Sequence, residues 1–126
     1  MTGTLHVCTG CTHPDRGRRE DARAGATLLV RLQALVRQAG LDPALKVAAY
    51  PCLGNCEKRC RASVGGGRRW SWLFGDLDPD RLPPGLDAFL RKWLAAPDGF
   101  LAKEDRPPSV RPHLIGRVPP AGRSGD

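Results

Sequence analysis

The residues of this sequence best suited to chemistry are its cysteines, which fall into two groups: Cys8-Thr9-Gly10-Cys11, and Cys52-Leu53-Gly54-Asn55-Cys56 followed by Cys60. Paired thiolates in two separate loops form a donor set for a soft metal ion or an iron-sulfur cluster. Their clustering in turns, away from periodic apolar positions, argues against a purely space-filling role. Three chemistries compete. Zinc would take four of these thiolates in a tetrahedron, with His13 able to replace one. A dithiol at Cys8 and Cys11 would serve thiol-disulfide exchange, although that chemistry needs no second thiol group opposite it. A 2Fe-2S cluster needs two thiolates on each iron, and one pair from each loop supplies them: Cys8 with Cys11, and Cys52 with Cys56. Cys60 is a fifth donor, readable as a ligand in place of Cys11, as a spare ligand or as a packed thiol.

The elements around these groups bring them together. Thr4 to Val7 alternates polar and apolar residues, which predicts a strand delivering Cys8 at its end. Leu28, Leu32, Leu35, Val36 and Ala39 recur at helical spacing, and Gly40 supplies the stop. Lys46 to Tyr50 predicts a second strand, closed by Pro51 directly before Cys52. A strand-helix-strand unit makes its strands parallel, so both cysteine groups leave the same edge of the sheet. A hairpin follows, with Arg61 to Val64 and Arg69 to Phe74 joined across Gly65-Gly66-Gly67. Trp70 and Trp72 share one of its faces and are expected to pack against a helix. Leu86, Phe89, Leu90, Trp93 and Leu94 predict that helix, with Pro83-Pro84 before it and Pro97-Asp98-Gly99 after it. The expected fold is therefore α/β: a βαβ unit, a β-hairpin and a C-terminal helix. It fills residues 1-99, and residues 100-126 form a Pro- and Arg-rich tail, extended or disordered in part, with Leu114, Ile115 and Val118 available to anchor it onto the domain.

The chain has 126 residues, enough for one core. No apolar stretch approaches the roughly 18 residues of a membrane span. The opening Met1-Thr2-Gly3-Thr4-Leu5 lacks the basic and apolar regions of a secretory signal, which makes the cytoplasm, where thiols stay reduced, the expected compartment. The net charge of +7 comes from arginines dispersed along the chain, an arrangement that fits solvated faces better than a nucleic-acid surface. Lys58, Arg59 and Arg61 have a sharper use: beside thiolates they offset negative charge and offer docking contacts to an acidic protein partner. Gly65-Gly66-Gly67 lacks the Lys-Ser/Thr of a phosphate loop, and no paired-carboxylate or Ser-His-Asp pattern stands out, so no enzyme is expected beyond the dithiol oxidoreductase that Cys8 and Cys11 leave open.

On these residues the sequence resembles the thioredoxin-like 2Fe-2S ferredoxins, including the small ferredoxin subunit of respiratory NADH dehydrogenases. In that family an early cysteine pair follows the first strand, and Cys52-Leu53-Gly54-Asn55-Cys56 matches the family's later Cys-Leu-Gly-x-Cys segment. The order of expected elements from about residue 4 to 96 is also the family's. The Cys-x-x-Cys start, Cys60, Phe74-Gly75-Asp76-Leu77 and Gly116-Arg117-Val118-Pro119-Pro120 are similar to an uncharacterised bacterial family of predicted metal-binding proteins. The chain departs from the ferredoxins in the short gap between Cys8 and Cys11 and in Arg59-Cys60, where they often carry Gly-Pro. The resemblance implies a thioredoxin-like fold and a 2Fe-2S cluster on Cys8, Cys11, Cys52 and Cys56. It also implies single-electron transfer between protein partners and pairing of two copies.

Overall fold

The computed structural model describes residues 3-8, 24-50 and 60-120. Its elements are β1 (Gly3–Cys8), α1 (Ala24–Gln38), β2 (Leu45–Tyr50), β3 (Ala62–Gly65), β4 (Ser71–Phe74), α2 (Leu86–Ala95), two 3-10 turns (Lys103–Asp105 and Arg111–His113) and β5 (Leu114–Val118). The strands form one sheet in the order β2-β1-β3-β4-β5. β1 and β2 are parallel and the other neighbours antiparallel. The expected α/β arrangement, βαβ then hairpin then helix, is what the chain adopts.

Each element follows from its residues. Along α1, Leu28, Leu32 and Val36 are buried, with Leu35 and Ala39 partly buried beside them. At its C-terminus Gly40 adopts φ +73. The Gly40 N–H donates to the Arg37 carbonyl (3.1 Å) and the Leu41 N–H to that of Val36 (2.9 Å), the paired bonds of a Schellman stop. Helix α2 buries Leu86, Phe89, Leu90 and Trp93 on one stripe. The guanidinium of Arg91 on α2 donates to the Ala39 carbonyl just past α1 (3.3 Å), so the helices are neighbours on one face of the sheet. That face presents Leu5 and Val7 of β1, both buried, and Gly3, where a Cβ would lie 2.5 Å from the Trp93 ring.

The hairpin carries the aromatic core. Trp72 and Phe74 on β4 each meet Phe89 edge to face at 5.5 Å, which confirms the packing role expected of Trp72. Trp70 stands half-buried beside Phe100 at 5.4 Å.

Two expectations are corrected. The sheet does not end with the segment up to residue 99: Leu114–Val118 pairs with β4 as a fifth strand, and Leu101 and Val110 are buried in the core. Apolar periodicity gave no sign of this, because no residue of β5 is fully buried and its approach is fixed by side-chain and backbone hydrogen bonds. Arg61, read as a docking cation, is buried at 4% exposure and is closed to a protein partner. Residues 121-126 lie outside the described residues. Among the described residues no helix is long and apolar enough to cross a membrane.

Candidate metal centre

Three strand ends meet where the cysteine-bearing segments begin and finish. In the parallel register of β1 and β2, Cys8 lies opposite Tyr50. On its other side the Cys8 N–H donates to the Arg61 carbonyl (3.0 Å), continuing the β1-β3 ladder beyond Val7 and Ala62. Tyr50, Cys8 and Arg61 therefore stand side by side across one end of the sheet. Cys11 follows Cys8 by three positions, Cys52 follows Tyr50 by two, and Cys60 directly precedes Arg61. Cys11, Cys52 and Cys56 lie outside the described residues, as do His13, Leu53, Gly54, Lys58 and Arg59.

The two described cysteines are both buried, Cys8 at 2% exposure and Cys60 at 0%. They occupy different rows. Cys8 continues the β1 row of Thr4 and His6, both half-buried, whereas Cys60 precedes the β3 row of Ala62 and Val64, both buried. Cys60 is held by a reciprocal backbone pair with Leu77, its N–H donating at 3.2 Å and its carbonyl accepting at 3.0 Å. Asp76, with φ 56, turns the chain immediately before that pair. His6, two residues before Cys8, meets the Tyr50 ring edge to face at 6.1 Å. Among the described residues no three His, Cys, Asp or Glu side chains gather as a metal site.

The sequence gives no hint of a second polar construction, which centres on Arg69. This arginine, expected on a solvated face, is buried at 6% exposure. Its Nη1 donates to the carbonyls of Trp93 (2.7 Å), Leu94 (2.8 Å) and Ala96 (2.9 Å), closing the C-terminus of α2. Those are the carbonyls a helix leaves without intrahelical partners, at the end where its dipole favours a cation. The guanidinium also lies over the Trp93 ring, 5.2 Å from its centroid. Nearby, the indole N–H of Trp72 donates to Gly99 (2.8 Å) and that of Trp93 to Trp70 (2.7 Å). Only long-range contacts reveal this network, since Arg69 and α2 are far apart in sequence.

The profile of a family described as "Protein of unknown function (DUF1636)" matches residues 5–120. No curated protein sequence matches the chain. Among solved structures, a thioredoxin-like [2Fe-2S] ferredoxin from Aquifex aeolicus superposes with a TM-score of 0.57 at 15% identity, covering 96% of each chain. A second structure, of the wild-type ferredoxin from that organism, gives a TM-score of 0.56 at 14% identity over 91% of this chain and 97% of that one. A Cys55Ser variant of the ferredoxin gives 0.55 at 14% identity, with 90% and 98% covered. At these identities the likeness establishes the fold, which is thioredoxin-like, and the match extends past residue 99 into β5.

Proposed function

Because the chain belongs to the family of proteins of unknown function (DUF1636), with a thioredoxin-like fold, its role must be argued from the site, and we propose that it is a 2Fe-2S electron carrier. The observation that carries this reading is the alignment of Tyr50, Cys8 and Arg61 across one sheet end, which brings together the strand ends that lead into the cysteine segments. The ligands are Cys8 and Cys11 from the first segment and Cys52 and Cys56 from the second. Its structural neighbours, described as thioredoxin-like [2Fe-2S] ferredoxins, support the same chemistry.

The donor set fits the group. Four thiolates in two pairs satisfy both irons, and Cys8, buried at a strand end with its backbone N–H fixed by Arg61, is a ligand whose position does not depend on loop order. When bound, such a cluster supplies reversible one-electron transfer. The chain's own contribution is to shield sulfur from water, and to place cationic charge near the thiolates through Lys58, Arg59 and the buried Arg61. The transfer partners are proteins, with an acidic docking face met by Lys58 and Arg59; the compartment is the cytoplasm, and the carrier is a pair of chains.

Anaerobic purification followed by visible absorption and iron, sulfide and zinc analysis of one sample tests this. Two irons and two sulfides per chain, with absorption that bleaches under dithionite, are expected. One zinc per chain and no colour would move the protein to metal-stabilised interaction modules. A colourless, metal-free protein with a titratable dithiol would indicate an oxidoreductase.

A further inference from the structure

The segment after α2 builds a cleft against β4 and β5 of about 360 Å³, with walls that include Trp72, Lys103, Arg106, Arg111 and Arg117 and no carboxylate. Four cations, Lys103 and Arg106 from the first 3-10 turn and its cap, Arg111 from the second and Arg117 from β5, thus converge on one concavity at the low end of small-ligand pocket size. Mutual repulsion would disperse flexible side chains, but these arginines are tethered. The Arg106 Nε donates to the Leu101 carbonyl (2.9 Å), and its guanidinium lies 5.0 Å from the Trp72 centroid. Arg111 donates through Nε to the Arg106 carbonyl and through Nη2 to that of Lys103, both at 3.0 Å. Arg117 faces Trp72 in the β4-β5 register and lies 5.5 Å from the Phe100 centroid and 5.7 Å from that of Trp72.

These tethers leave donors over. Among the described residues, neither Nη group of Arg106 and no guanidinium nitrogen of Arg117 has a protein acceptor, and none of the four cations is in an ion pair. Glu104 and Asp105 belong to the same 3-10 turn as Lys103, but both are exposed and neither lines the cleft. The Arg106 guanidinium is held below its usual pKa, first by burial and then by the charges of Arg117 and Arg111, against a smaller opposing effect of Glu104. An anion seated among these groups would relieve that repulsion.

We infer that this cleft binds a phosphate-class oxyanion, a diphosphate or the phosphate end of a nucleotide, held by the Nη groups of Arg106 and by Arg117, with Lys103 and Arg111 beside them. Guanidinium forks match phosphate oxygens bidentately, and four positive charges suit a multiply charged anion better than one carboxylate. The ring faces of Trp72 and Phe100 are already covered by arginine, so the phosphate and not a stacked base is the recognised part. This inference does not depend on the cluster.

Isothermal titration of the full chain with sodium pyrophosphate, at low ionic strength, tests it. Saturable binding at one site per chain is expected, weakened about tenfold in Arg117→Gln and less in Lys103→Gln, and unchanged in Arg31→Gln on α1. Equal affinity for ATP would identify the phosphates alone as the ligand, and tighter ATP binding would add a contribution from the nucleoside; both support the site. If Arg117→Gln loses its circular-dichroism signature, Lys103→Gln, altered at an exposed position, decides in its place. Absence of saturable pyrophosphate binding, or undiminished binding in a folded Arg117→Gln and in Lys103→Gln, overturns the inference. Binding of poly-glutamate without pyrophosphate would also overturn it, and would make the cleft a docking face for acidic protein.

Discussion

The end of the sheet around Cys8 and the arginine-aromatic region around β4, β5 and α2 are positioned by different forces. At the first, placement comes from backbone ladders: Cys8 is fixed by its register with Tyr50 and its bond to the Arg61 carbonyl. At the second, side chains do the joining, with Arg69 closing α2 and Arg106 and Arg111 tying the 3-10 turns to carbonyls. A backbone-positioned site tolerates side-chain change around it, whereas a region joined by guanidinium groups loses stability when a joining one is removed. Changes in the second region should therefore alter stability while leaving the ligand set intact, and changes at the first should do the reverse.

The largest effect expected is complete loss of the cluster. Cys56→Ser removes one of the four proposed ligands, and iron content and visible absorption should fall to background while the far-ultraviolet circular dichroism of the sheet and helices persists. A Cys56→Ser protein that retained two irons and unaltered absorption would break the ligand assignment. Next comes Arg69→Met, which keeps much of the aliphatic bulk over Trp93 but deletes three charge-assisted bonds to the end of α2. A cost of about 3 kcal/mol, read from the urea midpoint at unchanged slope, is expected, with iron per folded chain unaffected. A loss of iron in folded Arg69→Met would show that the two regions are coupled.

Gly99→Ala probes the same region through the backbone. Gly99 adopts φ +74, and a Cβ there would lie 2.8 Å from both the Arg69 Cβ and the Trp93 Nε1 and 3.1 Å from the Trp70 nitrogen. Left-handed strain and crowding together should cost about 2 kcal/mol by urea unfolding, again without change in metal content. An unchanged midpoint would mean that this junction yields more readily than its contacts indicate.

The contrast between the regions also explains what the sequence made legible. Leu5 and Val7, the stripe of α1 and the stripe of α2 are periodic, so local pattern sufficed to find β1 and both helices. Parallel pairing of β1 with β2 followed from the helix between them, and with it the meeting of Cys8 with the chain entering Cys52. Arg69 and Arg61 were hidden because composition treats arginine as a surface residue; burial of Arg69 depends on carbonyls supplied by the distant end of α2. Strand β5 was hidden for a related reason. Its partner β4 is some 40 residues earlier and its own residues are only partly buried, leaving no alternation to read.

Cys60 lies where the two regions meet, and its substitution carries the smallest expected effect. It is fully buried in the row that continues through Ala62 and Val64, and its backbone is paired with Leu77, whereas Cys8 belongs to the opposite row. Cys60→Ala removes one sulfur from the core and should cost about 1 kcal/mol by urea unfolding, the scale of a small buried deletion. The cluster should keep its two irons and its absorption band positions, because the four proposed ligands are other thiolates. Loss of half or more of the iron at an unchanged unfolding midpoint would instead place Cys60 in the first coordination sphere. The thiol end of the sheet would then extend one strand further than the proposed ligand set allows, with Cys11 the thiolate it replaces.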